Sequence, residues 1–275
     1  MSFSVVTNTA SLNAQAQLSK TAMGLEKTIG RLTSGLRINS SADDAAGLAV
    51  ANRHRLDNTG LQIGIRSAGD AISKLQTEDG AMSNIADLLD RALTLATQSA
   101  SNTFQGNRTT LNSEFSSVLS EITRTASAAA INTSGASLDD RAVFVGNTQT
   151  NTASSVTYIT VSLTDSVDST GLGINASTIA SQSGAASAIT ALQTAIGTLG
   201  TVQGRAGAAI NRLQFAISQA QTMATSVQAS EARIRDANVA EEAAQLSKFN
   251  ILNQAGIAAL AQANQAPQSV LSLLR

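Results

Sequence analysis

Apolar residues recur in alternating steps of four and three along most of this 275-residue chain, the spacing that aligns one face of an α-helix. From Leu18 the series runs Ala22, Leu25, Ile29, Leu32 and Leu36. From Leu61 it runs Ile65, Ala68, Ile72, Leu75, Asp79, Met82, Ala86, Leu89, Leu93 and Ala96, with Asp79 its one charged member. A shorter set joins Phe104, Leu111, Phe115, Val118 and Ile122. The longest holds Ala185, Ile189, Leu192, Ile196, Leu199, Gln203, Ala206, Ile210, Leu213, Ile217, Ala220, Ala224, Val227, Glu231 and Ile234. Alternation sustained over this length predicts coiled-coil packing. At about 1.5 Å per residue, positions 185 to 234 make a helix of roughly 75 Å, against a radius of gyration of about 19 Å for a compact globule of this chain length. The expectation is a mainly α, helical rod.

Two regions interrupt the pattern. A break is expected between Gly35 and Asp43, because Ser40, Ser41, Asp43 and Asp44 carry short oxygen-bearing side chains that accept from the free N–H groups of a helix start. From about Ile131 to Gly184 the chain turns to Ser, Thr, Asn and Gly. Arg141-Ala-Val-Phe-Val-Gly146 and Val156-Thr-Tyr-Ile-Thr-Val-Ser-Leu163 read there as strands, joined by a turn from Asn147 to Ser155. A small β-hairpin capping one end of the rod is the simplest account. The stretch from Thr164 to Ser183 reads as surface loop.

The ends change the picture most. Nothing from Met1 to Ser19 or from Phe249 to Leu274 is charged, whereas a solvated helix carries charge on its open face. The first 100 residues also hold eight glycines, at up to about 1 kcal/mol each in a helix interior. Packing against partners is expected to offset both. Membrane insertion is not, since the C-terminal run would carry seven Asn and Gln amides into lipid. Neither is a secretory signal, since no basic segment followed by an apolar run opens the chain.

Chemistry is scarce. With no Cys and one His, thiolate metal sites and the usual triads lack their parts. A net charge of −1 offers no footprint for nucleic acid. His54, flanked by Arg53 and Arg55, reads as a surface residue. The acid pairs Asp43-Asp44, Asp139-Asp140 and Glu241-Glu242 read as helix-start or loop residues, because neighbours on a helix do not face one another. No phosphate loop or nucleophile elbow is present, so no enzyme, cofactor or metal is expected.

The spelling of the two ends is specific. Ser11-Leu-Asn-Ala-Gln15 and Arg31-Leu-Thr-Ser-Gly-Leu-Arg-Ile-Asn-Ser-Ser-Ala-Asp-Asp-Ala-Ala-Gly-Leu-Ala49 open the chain; Ile251-Leu-Asn-Gln-Ala-Gly256 and Leu260-Ala-Gln-Ala-Asn-Gln-Ala-Pro-Gln-Ser-Val-Leu-Ser-Leu-Leu274 close it. These strings resemble bacterial flagellin over roughly residues 1 to 130 and 185 to 275. The resemblance implies a flagellar filament subunit that serves swimming motility. It would be exported unfolded by the flagellar apparatus and added at the distal tip outside the cell. Its partners would be further copies or sister flagellins, the filament cap, hook-filament junction proteins and an export chaperone.

It implies residues 1–43 and 236–275 as the two halves of an inner coiled-coil domain. Residues 44–184, with the hairpin, and 185–235 would form an outer helical rod domain. Leu18, Leu25, Ile29, Leu32, Leu36, Leu246, Ile257, Leu260 and Leu271 are then the candidate assembly seams. Arg91, Leu95 and Glu114 match positions at which some flagellins touch an immune receptor, although Leu93-Thr94 stands where the family often has an Arg-Glu pair. The rival readings are a hook-filament junction protein and a signalling coiled coil of the chemoreceptor kind.

Overall fold

Asn8 and Gly35 bound the first helix. The Asn8 carboxamide accepts from the Ser11 N–H at 3.1 Å, and Gly35 turns left-handed at φ 70°, its N–H donating to the Arg31 carbonyl. In a computed structural model of the chain, residues 7–104, 106–132, 141–150, 153–161 and 165–273 are described. Five helices and two strands appear among them: α1 (Thr9–Ser34), α2 (Ala45–Ala100), α3 (Arg108–Ala128), β1 (Arg141–Thr150), β2 (Ala153–Val161), α4 (Gln182–Arg235) and α5 (Val239–Leu273). The chain is thus mainly α with a small antiparallel sheet. Asp44 opens α2 by accepting from the Gly47 N–H at 2.8 Å, just after the expected break. The chain divides into two compact units, Met1–Leu56 with Ser226–Arg275, and Asp57–Thr225.

In the larger unit, α2, α3 and α4 bury one continuous apolar core. Its centre line departs from the sequence pattern in a regular way. The shared members hold: Leu61, Ala68, Leu75, Met82, Leu89, Ala96, Ala185, Leu192, Leu199, Ala206, Leu213 and Ala220 are buried. Most alternate members shift one position toward the N-terminus. Ile85 and Ala92 replace Ala86 and Leu93, while Ala188, Ala195, Val202 and Ala209 replace Ile189, Ile196, Gln203 and Ile210. Asp79 is exposed, and Glu78 before it is the buried carboxylate. Small residues on the centre line let the backbones approach, and Ile189, Ile196 and Ile210 pack partly buried beside them. Each helix is covered from more than one side, so it buries a broad stripe rather than a two-position seam.

The strands also run longer than expected. They pair from Arg141↔Val161 to Thr150↔Ala153, so they take in most of the expected turn; positions 151, 152, 162 and 163 lie outside the described residues. The hairpin lies along α2 and α4, with Val143, Val145 and Val161 buried. Gly64 admits it: a Cβ there would stand 2.1 Å from the Val145 carbonyl oxygen.

The segment after β2 is likewise no solvated loop. Val167, Leu172, Ile174 and Ile179 are buried. Its polar groups are paired: Asp168 accepts from the Ser166 hydroxyl at 2.6 Å and the Gly171 N–H at 2.7 Å, and Ser99 donates to the Ile179 carbonyl at 2.6 Å. Satisfying those groups internally is what allows an irregular segment into a core.

One apolar stretch of α4 is long enough to cross a membrane. It is a core helix of this unit, with Leu192, Ala195, Leu199 and Val202 buried.

Candidate assembly interface

The smaller unit is built on α1 and α5 lying antiparallel. Asn8 Nδ2 donates to the Ala263 carbonyl at 2.8 Å, and Ser11 Oγ to Asn264 Oδ1 at 2.8 Å. At the other end of the pair, Arg31 Nη1 reaches Glu242 Oε1 at 3.1 Å. Between them the Phe249 ring lies on Gly24, where a Cβ would come within 2.6 Å of it, and Gly256 faces Leu18. Side strands of backbone tie the helix junctions together: Arg37 N–H donates to the Arg235 carbonyl at 2.7 Å and Ala237 N–H to the Gly35 carbonyl at 2.9 Å.

The chemistry of this seam is unusual. Its buried members on α1 are Thr21 and Thr28, whose hydroxyls donate back to the Gln17 and Gly24 carbonyls at 2.9 and 3.0 Å. Among the described side chains of α5 Glu242 is the buried one, and Gln245 and Asn253 are half-buried. Leu18, Leu25, Leu32, Leu246 and Leu260 are half-buried on the same faces. The expected stripe is therefore off by one at its alternate positions here too: Thr21 and Thr28 take the places of Ala22 and Ile29.

Other large apolar side chains point outward. Leu12 and Met23 on α1 are 57% and 60% exposed, and Ile251 on α5 is 66% exposed. At 100° per residue each falls on the side of its helix away from the partner. Ile29 and Ile257, two candidate seam residues, are exposed flankers of the α1–α5 contact. Leu36 sits past the end of α1, half-buried in a bridge to Asp236. Leu271 is on α5 but outside the residues whose side chains are described. Among the described residues, nine of the twelve exposed large hydrophobics belong to this smaller unit, so its uncovered surface is where apolar area concentrates.

Charge in this unit gathers near the α1–α2 junction. Lys27 Nζ meets Asp43 at 2.5 Å. That ammonium, helped by the Ser40 N–H, holds the Asp43 carboxyl down to about 2.

In the larger unit Arg91 and Glu114 pair across α2 and α3, with Arg91 Nε 3.1 Å from Glu114 Oε1. Leu95, the third residue of that set, is 2% exposed and belongs to the core. Sequence reasoning missed the outward face of the terminal helices because it scored the stripe and not its opposite. Leu12, Met23 and Ile251, apolar residues outside the register, were the available signal.

Two terminal helices whose mutual contact mixes Thr, Gly, amides and half-buried Leu with an Arg31–Glu242 pair, while Leu12, Met23 and Ile251 turn outward, expose an apolar surface of the kind a self-assembling structural protein uses. Family models for the bacterial flagellin N-terminal helical region and the bacterial flagellin C-terminal helical region match residues 5–136 and 183–274. Flagellin of Halalkalibacterium halodurans is 36% identical over 271 residues, covering 98% of each chain. Flagellin of Listeria monocytogenes is 32% identical over 285 residues, covering 98% of this chain and 99% of its own. The flagellar filament 33 kDa core protein of Treponema phagedenis is 34% identical over 294 residues, covering 98% of each. The chain belongs to the bacterial flagellin family and is a filament subunit of the flagellum.

Proposed function

We propose that the chain polymerises through the outward faces of α1 and α5, which form an inner layer of the filament, and that it has no catalytic role. The observation that carries this is the apolar surface of the smaller unit: nine of the twelve exposed large hydrophobics among the described residues lie there, with Leu12, Met23 and Ile251 on the faces turned from the α1–α5 contact. Burying a Leu, Ile or Met side chain gains about 1.5–3 kcal/mol, and only further copies of the chain supply such burial at every subunit. The uncharged ends, linked by a seam of modest apolar content, suit a chain exported unfolded and ordered only as it joins the distal tip outside the cell. The cap, the hook-filament junction proteins and an export chaperone are its expected partners on that route. The segments 1–43 and 236–275 would form the inner layer, and 44–235 the outer one.

The test is assembly of Leu12→Asp and Ile251→Asp chains. Each is expected to leave no filaments by electron microscopy and sedimentation, while thermal unfolding of the larger unit stays at the wild-type temperature. Filaments of wild-type yield from both variants would refute the reading.

A further inference from the structure

The hairpin does not seal against α4. Between Phe144 and Gly146 the strand pairing slips by one residue, leaving Val145 without a partner on β2, and the strand bends there. Gly64 fixes the bent strand against α2. The gap left toward α4 is an open cavity of about 170 Å³ walled by Leu61, Val145, Ile159, Ala216, Ala220 and Met223, with Gln219 its polar rim. Apolar cavities of about 150 Å³ accept a benzene ring.

The same chain carries such a ring. Phe215, next to the wall residue Ala216, is 78% exposed, more than any other large apolar side chain among the described residues. The wall positions 216, 219, 220 and 223 centre roughly a quarter turn around α4 from it, and its exposure shows that it does not enter the cavity beside it. A knob and a hole on one chain can pair between copies, and taken head to tail the contact is heterologous and propagates into an open array, the geometry a filament requires.

We propose that Phe215 of one copy inserts its ring into the hairpin–α4 cavity of a neighbouring copy in the filament. The contact rests on the polymerisation proposed above. It adds a specific lock in the larger unit to the broad apolar faces of the terminal helices. It also assigns the strand slip at Val145 a consequence, because that slip opens the cavity.

The experiment compares four full-length chains: wild type, Phe215→Ala, Ala216→Leu, which fills the cavity from its own wall, and the double variant. The protein left soluble beside filaments is measured by sedimentation, and monomer unfolding is followed by heat. Each single change is expected to raise the soluble concentration about tenfold or more, the double change no further, and Phe215→Ala is expected to leave monomer unfolding unaltered. Benzene, which blocks the cavity without substitution, should raise the soluble concentration of wild type and not of Phe215→Ala. Wild-type assembly by Phe215→Ala, or single effects that multiply in the double variant, would overturn the contact. Benzene that stabilises monomers without affecting assembly would mark a small-molecule site and overturn it equally. Absence of filaments from wild type itself would instead remove the polymerisation reading on which the contact rests.

Discussion

Gly64 and Gly69 stand little more than a turn apart on α2, yet a methyl group has opposite consequences at each. At Gly64 it collides with the Val145 backbone, whereas at Gly69 nothing lies within 4 Å of it. Gly64→Ala is expected to lift the hairpin and cost about 1–3 kcal/mol, seen as faster hydrogen exchange of the β1–β2 amides. Gly69→Ala is expected to stabilise by up to about 1 kcal/mol, the helix-propensity difference. Equal shifts for the two in thermal unfolding would contradict this packing. Asp43 makes a second test. Its folded value of about 2 lies below the ordinary 3.8, so its ion pair stabilises the fold above about pH 3.8, and that contribution disappears as pH falls through about 2. Carboxyl chemical shifts should show a midpoint near 2 in wild type that returns toward 3.8 in Lys27→Met. A wild-type midpoint near 4 would show that the pair does not form in solution.

The helices teach how far a heptad count reaches. The positions common to the expected and observed stripes, such as Leu75, Leu89, Leu192 and Leu213, are buried. The alternate members are displaced because the count follows one narrow line while each helix is covered over a broader stripe, so along α4 Ala188, Ala195 and Ala209 take the centre and Ile189, Ile196 and Ile210 flank it. Ala195 and Ile196 separate the two readings. Ala195→Leu should overpack the α4 centre line and cost about 1–3 kcal/mol. Ile196→Ala, beside that line and only partly buried, should cost less than a fully buried Ile→Ala change at about 2–5 kcal/mol. Leu213→Asp should be worse than either, since it combines lost apolar contacts with an unpaired buried charge. Gln221, exposed on the same helix, is its control. Chemical denaturation of the monomers gives all four values.

For the molecule in its filament, the proposed terminal-helix interface and the main apolar core fall in different parts of the chain. The larger unit has its own continuous core, whereas the smaller one leaves Leu12, Met23, Leu56 and Ile251 among its exposed apolar side chains. Removing residues 249 to 275 should therefore abolish polymerisation while unfolding of the larger unit remains at its wild-type temperature. Limited proteolysis of the intact chain should trim monomers at both ends and spare filaments, because a helix whose apolar face is uncovered opens locally at low cost. Equal resistance of monomer and filament would show that the α1–α5 pair is already held without neighbours.

The helical kind of the chain, the extent of α4, the break between Gly35 and Asp43, and the presence of a hairpin were legible in the residue order. They follow from local rules of spacing, capping and turn chemistry that act over a few residues. The uncharged ends announced a need for partners for the same reason, since charge and its absence are properties of composition. Three features were not legible: which member of each turn occupies the centre line, that the Ser- and Thr-rich segment after β2 enters the core, and that α1 meets α5 through Thr21, Gly24 and Thr28. Each depends on what packs opposite, on how closely two backbones approach and on which buried polar groups find partners. Those are relations between residues as much as 250 positions apart, such as Asn8 and Ala263, and no local pattern contains them.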